Sequence, residues 1–448
     1  MRSAEALLES RRALLLAGVA LVLGGCGGGT TSSTTTICKD ASVCVTQEAV
    51  QSTPAGPNTT EIVVDSGPPG AFVLGVTNVP YVTVTVCSPG SANKCVTIDH
   101  MLLDTGSYGL RVLKSKVDAL GLPPVPVAAD GNGTPAGNAA ECYAFVLGAA
   151  WGPLAKADVR IGGEEAPNLN IQLIDDGAPA AQPVPQNCQS AAQGALLNSV
   201  SALQANGILG IGMVGLDCGV TCLTNAYPGG YVVYYSCPGA GAACQPAGMP
   251  AASQVQNPVA RFAVNNNGTM ITMPALPKLG ATVAKGRLVF GIGTQSNNQL
   301  PVAGRIYPVS TDTASADYLY VGLQVGARSY PQSFIDTGSN AMFFDDATLS
   351  RVCNVSSGQQ GGWYCPADTW RQTATLAGAN GTQGSFTFAV DSADTLFNAG
   401  ATAFANLGGT AGQAVQTFAL GMPFFYGRQV FVSIWGQALS TNGPWYAF

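Results

Sequence analysis

The sequence predicts a mainly β chain of two similar lobes with a central cleft and few short helices. Three observations point there. Short runs of β-forming residues alternate with turn clusters along most of the chain, and amphipathic helical pattern is scarce. The 448 residues include 56 glycines and 28 prolines, enough to punctuate many short strands. A long-range internal repeat relates one half of the chain to the other, at a spacing far beyond the 20–50 residues of a solenoid.

The expected strands include Tyr81–Val86, Val96–Leu103, Asp158–Ile161, Leu169–Leu173 and Arg261–Val264. Further along come Met270–Met273, Arg287–Phe290, Tyr318–Leu323, Ser385–Val390 and Gln429–Ile434. Asn265-Asn266-Asn267-Gly268 reads as a hairpin turn between two of these. The repeat is seen by aligning Asp104 with Asp336: Leu110 then matches Met342, Val112 matches Phe344, Val117 matches Leu349 and Leu120 matches Val352. Both copies read as strand, tight turn, short strand, short helix. The lobes expected from this are 61–285 and 286–448.

Apolar residues make up 47% of the chain and charged residues only 10%, which supplies a core and argues against intrinsic disorder. Net charge is -6, and no basic cluster lies beyond the extreme N-terminus. Nucleic acid is therefore not an expected partner. Residues 1–26 read as an export signal. Arg11 and Arg12 precede the apolar run Ala13–Leu23, which is too short to span a bilayer, and Leu23-Gly24-Gly25-Cys26 follows. This resembles a bacterial lipobox, which implies a lipid anchor on Cys26; by the same resemblance, the lack of an Asp after it implies the outer membrane. Residues 27–60, rich in Gly, Ser, Thr and Pro, read as a flexible tether.

Setting Cys26 aside leaves twelve of the thirteen cysteines, an even number suited to an oxidising compartment. Sequence does not fix connectivity. Close spacing suggests Cys38 with Cys44, Cys87 with Cys95, Cys218 with Cys222, Cys237 with Cys244 and Cys353 with Cys365, leaving Cys142 with Cys188. With no C-x-x-C pair and a single histidine, His100, no zinc site is expected. The stretch from Met213 to Leu279 reads in part as disulfide-pinned surface loops.

The aligned residues Asp104 and Asp336 each open an Asp-Thr-Gly-Ser motif, preceded by Met101-Leu102-Leu103 in one copy and Phe334-Ile335 in the other. Gly106 and Gly338 permit a tight turn that lifts a carboxylate from a strand end. The hydroxyls of Thr105, Ser107, Thr337 and Ser339 can bond neighbouring backbone and carboxylates. Here the chain resembles the pepsin-like aspartic peptidases, from about Glu61 to Phe448. Asn206–Gly212, Ala419-Leu420-Gly421 and Arg287–Gly291 are similar to segments of that family's two halves. The chain also resembles a family of bacterial lipoproteins of unassigned function.

The resemblance implies a bilobal double β-barrel in which Asp104 and Asp336 form one dyad. Like charges about 3 Å apart cannot both ionise, so the pair shares a proton. One carboxyl then activates water and the other protonates a peptide carbonyl, with no cofactor and no metal. The implied activity is endopeptidase cleavage of extended peptide or unfolded protein by an envelope-anchored monomer. The alternative is a binding lipoprotein that keeps the fold without turnover. In this family Thr105 and Thr337 would brace the two turns, and Ser107 and Ser339 would bond the outer carboxylate oxygens.

A β-hairpin flap is implied over the site, within Tyr143–Gly163. Family spacing puts Phe145 where a tyrosine is usual, with Tyr143 and Trp151 as alternatives. Arg111 stands where tryptophan is usual; it is either a solvated charge or a cleft-facing one that would lower the carboxylates' pKa. His100, four residues before Asp104, would share its face in a regular strand, as a pH-sensitive neighbour or as a satisfied structural histidine. No G-x-S-x-G elbow supports a serine-hydrolase triad.

Overall fold

The computed structural model describes residues 32–448 except 41–42, 52–54, 72–75, 130–132, 178–182, 192–194, 225–231, 240–241, 303, 312–318, 350–352, 354–361, 413–415 and 438–442. The expected export signal and Cys26 lie outside the described residues. The described strands form two sheets, of eighteen and eight strands, and the helices are short. The fold is mainly β, as expected.

The two motifs stand in matching sheet contexts. In the first half, Cys95–Asp104 runs parallel to Gly207–Ile211, with Gly210 opposite Asp104. Gly207–Ile211 then runs antiparallel to Tyr108–Leu113, the strand that leaves the first motif. In the second half, Arg328–Ile335 runs parallel to Ala419–Leu420, which runs antiparallel to Met342–Phe343. Each motif is thus a turn between two strands that share one partner. The repeat's apolar positions are its core: Leu110, Val112, Val117 and Leu120 are buried in one copy, and Met342, Phe344 and Leu349 in the other. Val352 lies outside the described residues. Phe344 stacks on Phe418 with ring centroids 4.4 Å apart, an aromatic centre under the second motif.

One sheet joins the halves. Ala281–Phe290 pairs with Thr59–Val64 and Gly268–Thr272, and the latter pairs with Gln429–Ser433 near the C-terminus. Residue 285, the expected end of the first lobe, falls inside Ala281–Phe290.

Four local expectations change. Residues 32–51 of the expected tether form a hairpin, Ser32–Asp40 with Val43–Gln51, whose second strand lies parallel to Ala281–Phe290. Its Thr, Val and Ile residues are β-branched, and that preference outweighs a linker-like composition. Arg261–Val264 is not a strand: Pro258, in helical geometry, starts a 3₁₀ turn at Val259–Arg261. The Asn-rich segment after it is no hairpin turn either. Its side chains dock elsewhere, Asn267 onto both the N–H and the carbonyl of Ile292, and Asn265 onto Glu164. The short helix expected after the second motif is a turn at Asp346, whose carboxylate caps Thr348.

Five expected disulfides are present: Cys87–Cys95, Cys142–Cys188, Cys218–Cys222, Cys237–Cys244 and Cys353–Cys365. Cys38 faces Cys44 in backbone register, and their side chains lie outside the described residues.

Candidate active site

Asp104 and Asp336 are brought together. Each carboxylate first engages its own turn: the Gly106 N–H donates to Asp104 Oδ1 at 2.8 Å, and the Gly338 N–H to Asp336 Oδ1 at 2.7 Å. The Ser107 hydroxyl donates to Asp104 Oδ2, and Ser339 to Asp336 Oδ2. Each carboxylate then lies against the other turn's glycine. A Cβ at Gly106 would stand 2.8 Å from Asp336 Cγ, and one at Gly338 would stand 2.6 Å from Asp104 Oδ1. No larger residue fits either place without separating the turns.

The threonines cross between the turns. The Thr105 N–H donates to Thr337 Oγ1 and the Thr337 N–H to Thr105 Oγ1, each at 3.0 Å. Thr337 Oγ1 also donates to the Leu103 carbonyl at 2.6 Å. All of these groups are buried, so each bond holds a polar group that has no access to water.

The two carboxyls lie close together, and the Asp336 pKa is pushed up to about 8. Burial is the largest cause and the charge of Asp104 the next; the bonds from Ser339 and the Gly338 N–H pull the other way. Asp336 therefore keeps its proton at neutral pH beside Asp104. Such a pair can accept a proton from one group and give a proton to another.

Asn78 is a site residue that motif reading did not reveal. It is fully buried, with φ 52°. Its amide donates to the carbonyls of Asn340 and Phe404, and its oxygen accepts from the Phe404 N–H and the Tyr426 hydroxyl. One side chain from the first half thus pins the exit of the second motif. An asparagine in left-handed conformation was its only available signal.

Arg111 is neither solvated nor part of the dyad. It is wholly buried, with Nη2 at 2.7 Å from Glu141 and 3.2 Å from Asp217, and Nη1 donating to the Tyr108 carbonyl at 2.6 Å. Tyr143 covers its face, with Cζ 3.7 Å from the ring centroid. Phe145 lies beside Tyr143, with ring centroids 5.0 Å apart, and Trp151 lies in another cluster. Phe145 packs against an apolar cluster that includes Tyr81 and Leu113. Trp151 is buried edge-to-face with Tyr235, in the cluster around Cys142 and Cys188. The regular strand expected at His100 is broken: a bulge sets Asp99 and His100 against Thr83 alone, and His100 sits there at φ 47°. Its ring lies 3.3 Å from Asp65 and from Asp99 and edge-on to Tyr81, the contacts of a structural histidine.

Residues 54–448 match the family described as "Protein of unknown function (DUF3443)". No curated protein matches the sequence. Among solved structures the chain is similar to the aspartic proteinase from Irpex lacteus, at 13% identity and a TM-score of 0.45. That similarity covers 87% of this chain and 96% of the other. With the match running over nearly its whole length, the chain belongs to the DUF3443 family.

Proposed function

We propose that the protein is an aspartic-type endopeptidase that hydrolyses peptide bonds with water activated between Asp104 and Asp336. The observation that carries this reading is the juxtaposed carboxyl pair, each carboxylate against the other turn's glycine and the turns braced by two crossed threonines. The ionised carboxyl takes a proton from water as the water oxygen attacks the peptide carbonyl carbon. The protonated carboxyl gives its proton to the carbonyl oxygen. The resulting tetrahedral diol collapses as the C–N bond breaks, with a proton passing to the departing nitrogen. Because the dyad titrates as a unit, acid and base roles belong to the pair.

The lipobox-like Leu23-Gly24-Gly25-Cys26 supports a second part of the reading, an enzyme tethered to the cell envelope by lipid on Cys26. Replacing Cys26 with Ser should then move the protein from the membrane to the soluble fraction.

Cleavage of an unfolded protein, scanned over pH with Asp104→Asn and Asp336→Asn as controls, tests the chemistry. Turnover that both substitutions abolish is the expected result. Turnover that survives either one, or a wild-type protein that binds a statine-type transition-state analogue yet cuts nothing, would sink the hydrolase reading.

A further inference from the structure

A second buried carboxyl pair lies behind the first motif, and it is organised around a cation. Arg111 belongs to Tyr108–Leu113, the strand that leaves the Asp104 turn. Glu141 and Tyr143 belong to Gly137–Phe145, the first arm of a hairpin whose second arm is Gly148–Ile161. Asp217 comes from the loop after Gly207–Ile211. The side chains of Arg111, Glu141 and Asp217 are all fully excluded from solvent.

We propose that Arg111 is a positioning residue whose guanidinium, clasped by Glu141 and Asp217, seats the Tyr143 ring and so fixes this hairpin beside the Asp104 turn. The inference rests on the hydrolase reading for its kinetic consequence, but its geometric part stands apart from that reading.

Both carboxyls meet the guanidinium, Glu141 at 2.7 Å and Asp217 at 3.2 Å. Burial first, then the charge of Glu141, holds Asp217 well above the usual carboxylate range. The Tyr234 hydroxyl donates to Asp217 Oδ1 at 2.5 Å while accepting from the Val255 N–H at 2.8 Å. The guanidinium thus faces two acidic side chains, one of them held toward its protonated form. A guanidinium so paired can stay buried where an unpaired one could not.

The same guanidinium reaches both the turn's exit strand and the hairpin. Nη1 holds the carbonyl of Tyr108, the residue directly after Ser107, and the guanidinium plane carries the Tyr143 ring. Tyr143 in turn meets Phe145 at a tilt, with centroids 5.0 Å apart. Just beyond it the hairpin tip is free, with Val146 99% and Leu147 77% exposed. The Gln172 amide bonds the carbonyls of Glu141 and Ala150, fixing the hairpin below this level. Tyr143 and Phe145 therefore lie between the base of the hairpin and its exposed tip, and the ring on Arg111 helps to set where the tip points.

The experiment compares Tyr143→Phe, which keeps a ring over the cation, with Tyr143→Leu, which does not. A third variant, Arg111→Met/Glu141→Gln/Asp217→Asn, removes all charge together and leaves no unpaired ion to unfold the protein. Hydrogen–deuterium exchange over 143–149 and steady-state cleavage of a peptide are measured on each. In Tyr143→Leu and the triple variant the tip amides should exchange faster and KM rise about tenfold with kcat little changed, whereas Tyr143→Phe stays within about twofold of wild type. Unchanged tip exchange in Tyr143→Leu and the triple variant would overturn the proposal, as would faster exchange with KM unmoved in an active enzyme. A wild-type protein without turnover would count against the hydrolase reading alone, because exchange still decides whether Arg111 positions the hairpin.

Discussion

The two threonines look equivalent in sequence, and their replacement by valine should not be. Thr337→Val removes a hydroxyl that accepts from the Thr105 N–H and donates to the Leu103 carbonyl, so two buried groups lose their partner. Thr105→Val removes a hydroxyl that accepts from the Thr337 N–H, so one does. Leaving a buried donor or acceptor unmet costs about 1–3 kcal/mol, which gives about 2–6 kcal/mol for Thr337→Val and about 1–3 kcal/mol for Thr105→Val. Valine nearly matches threonine in volume, so little of either loss comes from a cavity. Guanidinium unfolding followed by tryptophan fluorescence at one fixed pH measures both. The reasoning fails if Thr105→Val costs as much as Thr337→Val, or if neither loss exceeds about 0.5 kcal/mol, the scale of an inconsequential surface change.

Two further outcomes follow from buried polar groups. Asp336 binds its proton more tightly folded than unfolded, so the stability it contributes is fully present below pH ~4 and is lost as pH rises to about 8. Stability should decline by up to about 1.4 kcal/mol per pH unit across that window, and thermal melts of Asp336→Asn should lack this slope. Asn78→Ala should destabilise by several kcal/mol (roughly 1–3 for each unmet buried group, plus about 1–2 for alanine at φ 52°), as read by denaturant titration. Asn78→Gly removes the backbone part of that cost and should lose less.

What sequence could carry here was local or repeated. The Asp-Thr-Gly-Ser turns were legible because four adjacent residues make most of each carboxylate's contacts: Gly106 and Ser107 serve Asp104, and Gly338 and Ser339 serve Asp336. The β runs were legible where period-two patterning met a buried face, as in Tyr81–Val86 and Ser385–Val390, inside the strands Pro80–Cys87 and Gln383–Val390. Local reading failed where a distant partner decides the conformation. The Asn-rich loop follows the backbone around Ile292, and His100 follows a bulge that only strand pairing defines. Asn78 was beyond reach for the same reason, since its partners lie 262 to 348 positions away.

Arg111 shows what such an omission does to a functional reading. A charge seven residues after a catalytic-type aspartate invites the idea that it tunes that aspartate. Its acidic partners lie 30 and 106 positions away and hold it in a buried cluster of its own. A cation so compensated has little field left to lower the pKa of the dyad, in keeping with Asp336 lying far above the usual carboxylate range rather than below it. The molecule therefore keeps two carboxyl pairs with opposite arrangements. One has no cation and answers to hydrogen bonds from its own turns, which leaves its proton available for chemistry. The other is closed around a guanidinium, which fits it to hold a hairpin in place.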